Sequence, residues 1–163
     1  RENEGALFES EIRRISMRVF LDTNIVMEFL TQGTHYVAVR KIMRAAQLGL
    51  LEACISTISL STIAYLLGLR LKQNNIHEPE KRNVIRRLLI ELEKYIQIVD
   101  ISHDQTAIAL KDENFKDIED SFQYYCSLEN DCDCIVTINL KDFPACDTII
   151  ICSPEDFVKA QIE

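Results

Sequence analysis

The feature that most constrains the fold of this chain is the run Val19-Phe20-Leu21, which ends abruptly at Asp22-Thr23-Asn24. A short run of β-branched and aromatic residues is typical of a buried strand. The polar residues after it favour the start of a helix. Asp22 would then lie at the carboxyl end of the strand, which is where open α/β sheets bind their ligands. The run therefore predicts an α/β fold with a site at this edge of the sheet.

Four further short apolar segments alternate with helical patterns along the chain. The predicted strands are 18–21, 52–56, 96–99, 134–137 and 148–151. Strands separated by helices imply a parallel sheet with right-handed crossovers, and hence a three-layer α/β/α domain. We expect Gly33 to end the first helix and Gly49 the second.

Length, composition and charge place broad limits on the protein. The 163 residues suit one domain, 47% of them are hydrophobic, and no apolar run approaches the roughly 18 residues that span a bilayer. Residues 1–16 contain no apolar signal-peptide core, and Met17 directly precedes the first strand. We therefore expect a cytoplasmic protein without membrane contact, in which 1–16 is an N-terminal extension and 17–163 a single domain. The net charge of −8 does not favour nonspecific binding to nucleic acid.

The six cysteines are expected to be reduced thiols, because no secretion signal is visible. Cys132 and Cys134 are separated by a single residue, and no histidine lies nearby. This spacing does not suit zinc. We interpret the cysteines as small buried hydrophobic residues.

Acidic and amide side chains recur at the sheet edge that follows Asp22. Asp120 lies at the start of the helix before the strand 134–137, and Asn139 and Asp142 follow that strand. In a parallel sheet these side chains share one edge, and carboxylates without an interleaved cation favour a hard divalent metal. Each acid also has an ordinary alternative explanation, since aspartate caps helices and Asn139 to Asp142 suits a turn.

Three segments together resemble the PIN-domain family: Phe20-Leu21-Asp22-Thr23-Asn24-Ile25, Asp117-Ile118-Glu119-Asp120, and the stretch from Ile135 to Asn139 with Lys141-Asp142-Phe143. The resemblance implies a five-stranded parallel sheet and a Mg²⁺- or Mn²⁺-dependent ribonuclease acting on RNA. Many bacterial members are toxins of VapC-like toxin–antitoxin pairs, so a homodimer and an antitoxin partner are also implied. By motif match, the implied catalytic residues are Asp22, Asp120, Asn139 and Asp142, the implied metal ligands are Asp22, Asp120 and Asp142, and Asn24 and Thr137 line the site.

One position departs from the family pattern. The second acid of the family usually lies in the helix after the second strand, where this chain has Thr62. Glu28 and Glu119 are the candidates to compensate for it. The alternative function is therefore a catalytically weak or inactive PIN domain that binds RNA or protein. A nucleotide-binding doubly wound protein is disfavoured, because no glycine-rich loop follows any strand.

Basic residues cluster in one stretch despite the acidic total. Residues 70–87 contain six basic side chains against two acidic ones, a local charge of +4. This stretch could contact a phosphate backbone beside the site, or it could simply be a solvated helix face. The basic residues are Arg70, Lys72, Lys81, Arg82, Arg86 and Arg87.

Overall fold

Five parallel strands form a single sheet in the order β3-β2-β1-β4-β5 in the computed structural model, which describes residues 17–163. The prediction that 1–16 is an extension lies outside the described residues. In chain order the elements are β1 (Arg18–Leu21), α1 (Thr23–Thr31), α2 (Tyr36–Gln47), β2 (Glu52–Ser56), α3 (Thr57–Gln73), α4 (Glu80–Glu93), β3 (Ile96–Val99), α5 (His103–Ala109), α6 (Ile118–Glu129), β4 (Cys134–Val136), a 3₁₀ turn (Leu140–Asp142), β5 (Ile150–Cys152) and α7 (Pro154–Gln161). The predicted three-layer α/β/α fold with five parallel strands is confirmed.

The core has two parts because successive strand residues point to opposite faces of the sheet. In β1, Val19 and Leu21 join the larger cluster, which is covered by α1 to α4 and α7. Phe20 faces the opposite way and joins a smaller cluster with Phe115 and Ile135. β1 is therefore buried on both faces at the centre of the sheet, which explains its uninterrupted apolar run.

Strand pairing fixes the register of the site-bearing edge. Phe20 of β1 pairs with Cys54 of β2 and with Ile135 of β4. The backbone N–H of Asp22 still donates to the carbonyl of Val136, at 3.1 Å. The polar residues after β1 and β4 are thereby held side by side at the carboxyl edge.

Three predicted elements have boundaries that differ from the observed ones. β4 ends at Val136 rather than at Thr137, and β5 begins at Ile150 rather than at 148, because pairing with β4 sets its register. Helix α1 ends at Thr31, and Gln32 rather than Gly33 adopts the left-handed conformation, with φ of 51°. A Cβ at Gly33 would meet the Glu28 carboxylate, which would have to move from the position where it accepts the backbone N–H of His35. Gly49, which was expected to end the second helix, follows the Leu48 cap of α2 and is left-handed, with φ of 68°.

The cysteines are free thiols, and Cys54, Cys126, Cys132 and Cys134 are buried among the apolar residues. None of the helices described between residues 17 and 163 has the length and apolar character needed to cross a membrane.

Candidate functional site

Asp22 is fixed at the end of β1 by three donors. Its Oδ1 accepts the backbone N–H of Thr23 at 2.7 Å, and its Oδ2 accepts the Thr137 hydroxyl at 2.7 Å and the Asn24 amide at 3.1 Å. The residue is only 4% exposed and is also the N-cap of α1. Burial raises the pKa of its carboxyl, while the hydrogen bonds from Thr137 and Thr23 oppose that rise. Asp22 thus combines the ordinary capping role with a fixed position at the sheet edge.

Thr137 links the ends of β1 and β4. Its fully buried hydroxyl donates to Asp22 and accepts the Asn24 amide at 3.2 Å and the backbone N–H of Asn139 at 3.1 Å. The Asn24 carbonyl oxygen accepts the backbone N–H of Ile138, at 3.3 Å. Asn24 and Thr137 therefore hold the loop after β4 against the start of α1.

Asp120 lies in the first turn of α6 and differs from Asp22 in its surroundings. Asp117 is the N-cap of this helix and accepts the backbone N–H of Glu119, at 2.8 Å. Burial, together with the negative charges of Asp22, Asp117, Asp142 and Glu119, raises the pKa of Asp120 to about 7. No ion pair among residues 17–163 involves Asp120, Asp22 or Asp142. Asp120 therefore carries the electrostatic cost of an acidic cluster without a neutralising partner.

The acids meet at one cavity of about 530 Å³. Its walls come from α1, α3, the start of α6 and the loop after β4. Five carboxylates line it against one basic side chain, Arg70; the acids are Asp22, Glu28, Asp117, Glu119 and Asp120. The cavity also includes Asn24, Thr62 and Asn139. Asp142 lies in the adjacent 3₁₀ turn, outside this lining but close enough to raise the pKa of Asp120.

The family model of the PIN domain matches residues 18–141, most of the described chain. The chain belongs to the PIN-domain family. The predicted resemblance is therefore confirmed. The matched segment carries every residue of the site except Asp142, which follows it directly.

Two solved structures share the PIN fold with this chain. One is VapBC2 from Rickettsia felis bound to a DNA fragment from their promoter, with 16% identity, a TM-score of 0.56, and coverage of 83% of this chain and 97% of that chain. The other is VapC20 from Mycobacterium tuberculosis, a sarcin-ricin loop cleaving toxin, with 13% identity, a TM-score of 0.53, and coverage of 72% and 86%. At these identities the likeness concerns the fold. No curated protein matches the sequence.

Thr62, the residue that the motif match puts at the second acidic position of the PIN family, lines the cavity from α3. The two candidate replacements are held differently. The Glu28 carboxylate folds back over the turn between α1 and α2, where it accepts the backbone N–H of His35 at 2.8 Å and faces Gly33. Glu119 instead accepts the Thr23 hydroxyl at 3.1 Å, next to Asp22. Glu28 therefore serves the local turn, whereas Glu119 is tied to the centre of the site.

The donor set of this PIN site suits a hard divalent cation. Within residues 17–163, no three acidic, histidine or cysteine side chains stand together as a ready-made metal site. Mg²⁺ keeps several waters and commonly uses only one or two protein carboxylates. The crowded acids between Asp22 and Asp120 offer oxygen ligands of this kind, and a cation would relieve their repulsion.

The basic stretch lies on the hairpin of α3 and α4. Arg70 reaches the cavity, whereas Lys81 and Arg82 both pair with Glu78, at 3.3 and 4.0 Å. Arg86 and Arg87 are exposed on α4, and Lys72 is exposed near the end of α3. The hairpin is thus a basic surface that reaches the acidic cavity at Arg70.

A buried polar network beneath the acids was not predicted from the sequence. Its members come from α1, the end of β2, α3 and α6, and they are Thr23, Ser56, Ser59 and Gln123. All four are less than 9% exposed. The available signal was the position of Gln123 one turn after Glu119, on the inner face of α6 with Cys126 and Ser127.

Proposed function

We propose that this PIN domain is a divalent-metal-dependent endoribonuclease that hydrolyses RNA phosphodiester bonds as the toxin of a toxin–antitoxin pair. One observation carries the proposal. A single cavity places Asp22 and Asp120 among five carboxylates with one guanidinium, and the charges of four other acids, together with burial, raise the pKa of Asp120. Such crowding is unfavourable until a cation binds.

Asp22 and Asp120 are proposed to hold the cation, with Asp142 and Asn139 as direct or water-mediated contacts, and Mg²⁺ or Mn²⁺ as the metal. When bound, such a cation neutralises phosphate charge and makes a water more acidic. The chain's own contribution is to position the ligands. Thr137 and Asn24 orient the Asp22 oxygens, and the first turn of α6 carries Asp120, which lines the same cavity.

RNA would reach the site along the basic hairpin of α3 and α4. Arg70 is the member of this surface that lines the cavity, and the exposed Arg86 and Arg87 extend it. Phosphate contacts from such residues supply sequence-independent affinity. This stretch offsets the acidic total charge locally.

The structural neighbours support the toxin role and a protein partner. One of them is a VapBC assembly, and the other is a toxin that cleaves the sarcin-ricin loop. We propose a protein antitoxin whose basic side chain covers the acidic cavity, because a guanidinium satisfies carboxylates as a metal would. Homodimerisation and a cytoplasmic location belong to the same proposal.

The decisive experiment measures cleavage of a single-stranded RNA by the purified chain with Mg²⁺ or Mn²⁺. Asp22→Asn and Asp120→Asn are each expected to lower the rate about a hundredfold or more, since metal-mediated charge stabilisation contributes several kcal/mol. Glu113→Gln is the matched control, because it removes one charge from the exposed loop before α6, outside the cavity. Circular dichroism checks that every variant is folded.

Thr62 is the specific observation that favours a second candidate, a catalytically weak PIN module that binds RNA or protein. This candidate replaces the nuclease proposal if the folded chain cleaves no RNA with either metal and binds Mn²⁺ with millimolar affinity or weaker.

A further inference from the structure

In the buried network beneath the site, Gln123 determines which group donates and which accepts in each hydrogen bond. This side chain is 0% exposed. Its amide oxygen accepts a hydrogen bond from the Ser56 hydroxyl at 2.6 Å, and its amide nitrogen donates to the hydroxyl oxygens of Thr23, at 3.0 Å, and of Ser59. An amide oxygen has no proton, so the single proton of Ser56 must point at Gln123.

The orientation of the other hydroxyl groups in the network follows from this assignment. Ser56 Oγ also lies 3.2 Å from Ser59 Oγ, but its single proton is committed to the shorter bond with Gln123, so it cannot donate to Ser59 at the same time. Thr23 Oγ1 accepts from Gln123, and two oxygens lie within reach of its own proton: Ser59 Oγ at 2.9 Å and Glu119 Oε1 at 3.1 Å. Ser59 already accepts from Gln123, whereas the carboxylate forms the stronger, charge-assisted bond. The Thr23 proton therefore points at Glu119.

The opposite orientation of the amide would break this arrangement. With the Gln123 oxygen facing Thr23 and Ser59, both hydroxyls would donate to it. Glu119 would then lose the Thr23 donor. A buried network with every proton placed is worth more than its separate bonds, and a partly satisfied one is costly. The observed orientation satisfies Gln123, both serines and Glu119 together.

We infer that Glu119 supplies the acidic oxygen that Thr62 lacks, and that Thr23 and Gln123 are positioning residues that hold it there; this inference rests on the proposed function. Glu119 and Thr62 line the same cavity as Asp22 and Asp120. Thr23 directly follows Asp22, so its hydroxyl fixes Glu119 relative to the first metal ligand. Glu28, the other candidate, is engaged by the turn after α1.

The test measures Mn²⁺ affinity of the metal-free chain by calorimetry or by electron paramagnetic resonance. Glu119→Gln should weaken binding about tenfold, at the lower end of the loss seen for residues that support metal ligands. Glu113→Gln, the charge-matched control, should stay within about twofold of the parent chain. Thr62→Glu added to Glu119→Gln should recover most of the lost affinity, because it returns a carboxylate to the cavity from α3.

The positioning role is tested with a second pair. Thr23→Val removes the hydroxyl at nearly constant volume, and Thr23→Ser keeps it. We expect Thr23→Val to weaken Mn²⁺ binding several-fold, Thr23→Ser to preserve it, and Thr23→Val to add no loss in the Glu119→Gln background, since it acts through that carboxylate. If Thr23→Val does not fold, Thr23→Ala takes its place, because it also removes the hydroxyl that donates to Glu119.

The outcomes separate this inference from the proposed function. Unchanged Mn²⁺ affinity in Glu119→Gln, with binding still lost in Asp120→Asn, overturns the role of Glu119 and leaves the nuclease proposal standing. Additive losses for Thr23→Val and Glu119→Gln overturn the positioning role. Absence of Mn²⁺ binding in the parent chain overturns both.

Discussion

Asp22 and Asp120 face the same cavity, yet the fold treats them in opposite ways. Asp22 is almost wholly buried and receives three hydrogen bonds at the junction of β1 and α1. Asp120 is half-buried, takes no part in that network, and has its pKa raised to about 7 by burial and by neighbouring acids. One carboxylate is therefore part of the framework of the protein, whereas the other is poised for a ligand. The two should respond very differently to substitution and to pH.

The largest contrast is expected in the stability of the metal-free chain. Asp22→Ala leaves the backbone N–H of Thr23 and the Thr137 hydroxyl without their acceptor, and it removes one of the two acceptors of the Asn24 amide. Unsatisfied buried groups of this kind destabilise a protein by about 1–3 kcal/mol each, so we expect a loss of at least about 2 kcal/mol. Asp120→Ala removes repulsion instead and should be neutral or stabilising at pH 8. Urea unfolding in the presence of EDTA measures both values, and equal losses would contradict the contrast.

The same difference in surroundings explains why Asp22 was easier to predict from the sequence than Asp120. Asp22 was visible in the sequence because it ends an apolar run and begins a helix, and both signals are local. The approach of Asp120 followed from sheet topology, which brings strand ends and helix starts to one edge. Its raised pKa did not follow from the pattern in detail, because it depends on how closely four other acids approach.

The network under Glu119 shows where sequence reasoning failed. Hydrophobic periodicity identifies buried faces by their apolar residues, but the inner face of α6 carries Ser121, Gln123, Cys126 and Ser127. Such a face resembles a solvated surface until its partners on α1 and α3 are known. The end of α1 was also placed slightly wrongly: Gly33 was expected to end the helix, but α1 ends at Thr31 and Gln32 is its left-handed cap.

A smaller but more specific effect is expected from pH. The pKa of Asp120 is raised in the folded state, from 3.8 to about 7, so the folded chain binds this proton more tightly than the unfolded chain. The stability that Asp120 contributes is complete below about pH 4 and is lost as pH rises towards 7 and beyond. Asp120→Asn removes this dependence. The free energy of unfolding of metal-free Asp120→Asn, measured relative to that of the parent chain, should therefore increase as the pH is raised from 5 to 8.

Unfolding of both proteins in EDTA at several pH values measures this difference, and repeating the series with Mn²⁺ provides the control. A cation that neutralises the acids should stabilise the parent chain more than Asp120→Asn at pH 8. A stability difference that does not vary with pH would show that Asp120 is not electrostatically strained.

The smallest effect concerns the support of Asp22 alone. Thr137→Val keeps the shape of a fully buried side chain but removes the hydroxyl that donates to Asp22 and accepts from Asn24 and Asn139. We expect the free energy of unfolding in urea to fall by about 1–2 kcal/mol, with Thr137→Ser close to the parent chain.

The same substitution should affect metal binding. The hydrogen bond from Thr137 is the main influence that lowers the pKa of Asp22, so its removal should weaken Mn²⁺ binding at pH 6 more than at pH 8. The pH-dependent stability that is due to Asp120 should be unchanged in Thr137→Val. If that dependence also disappears, the two carboxylates form one coupled unit, and the distinction between a framework acid and a poised acid is wrong.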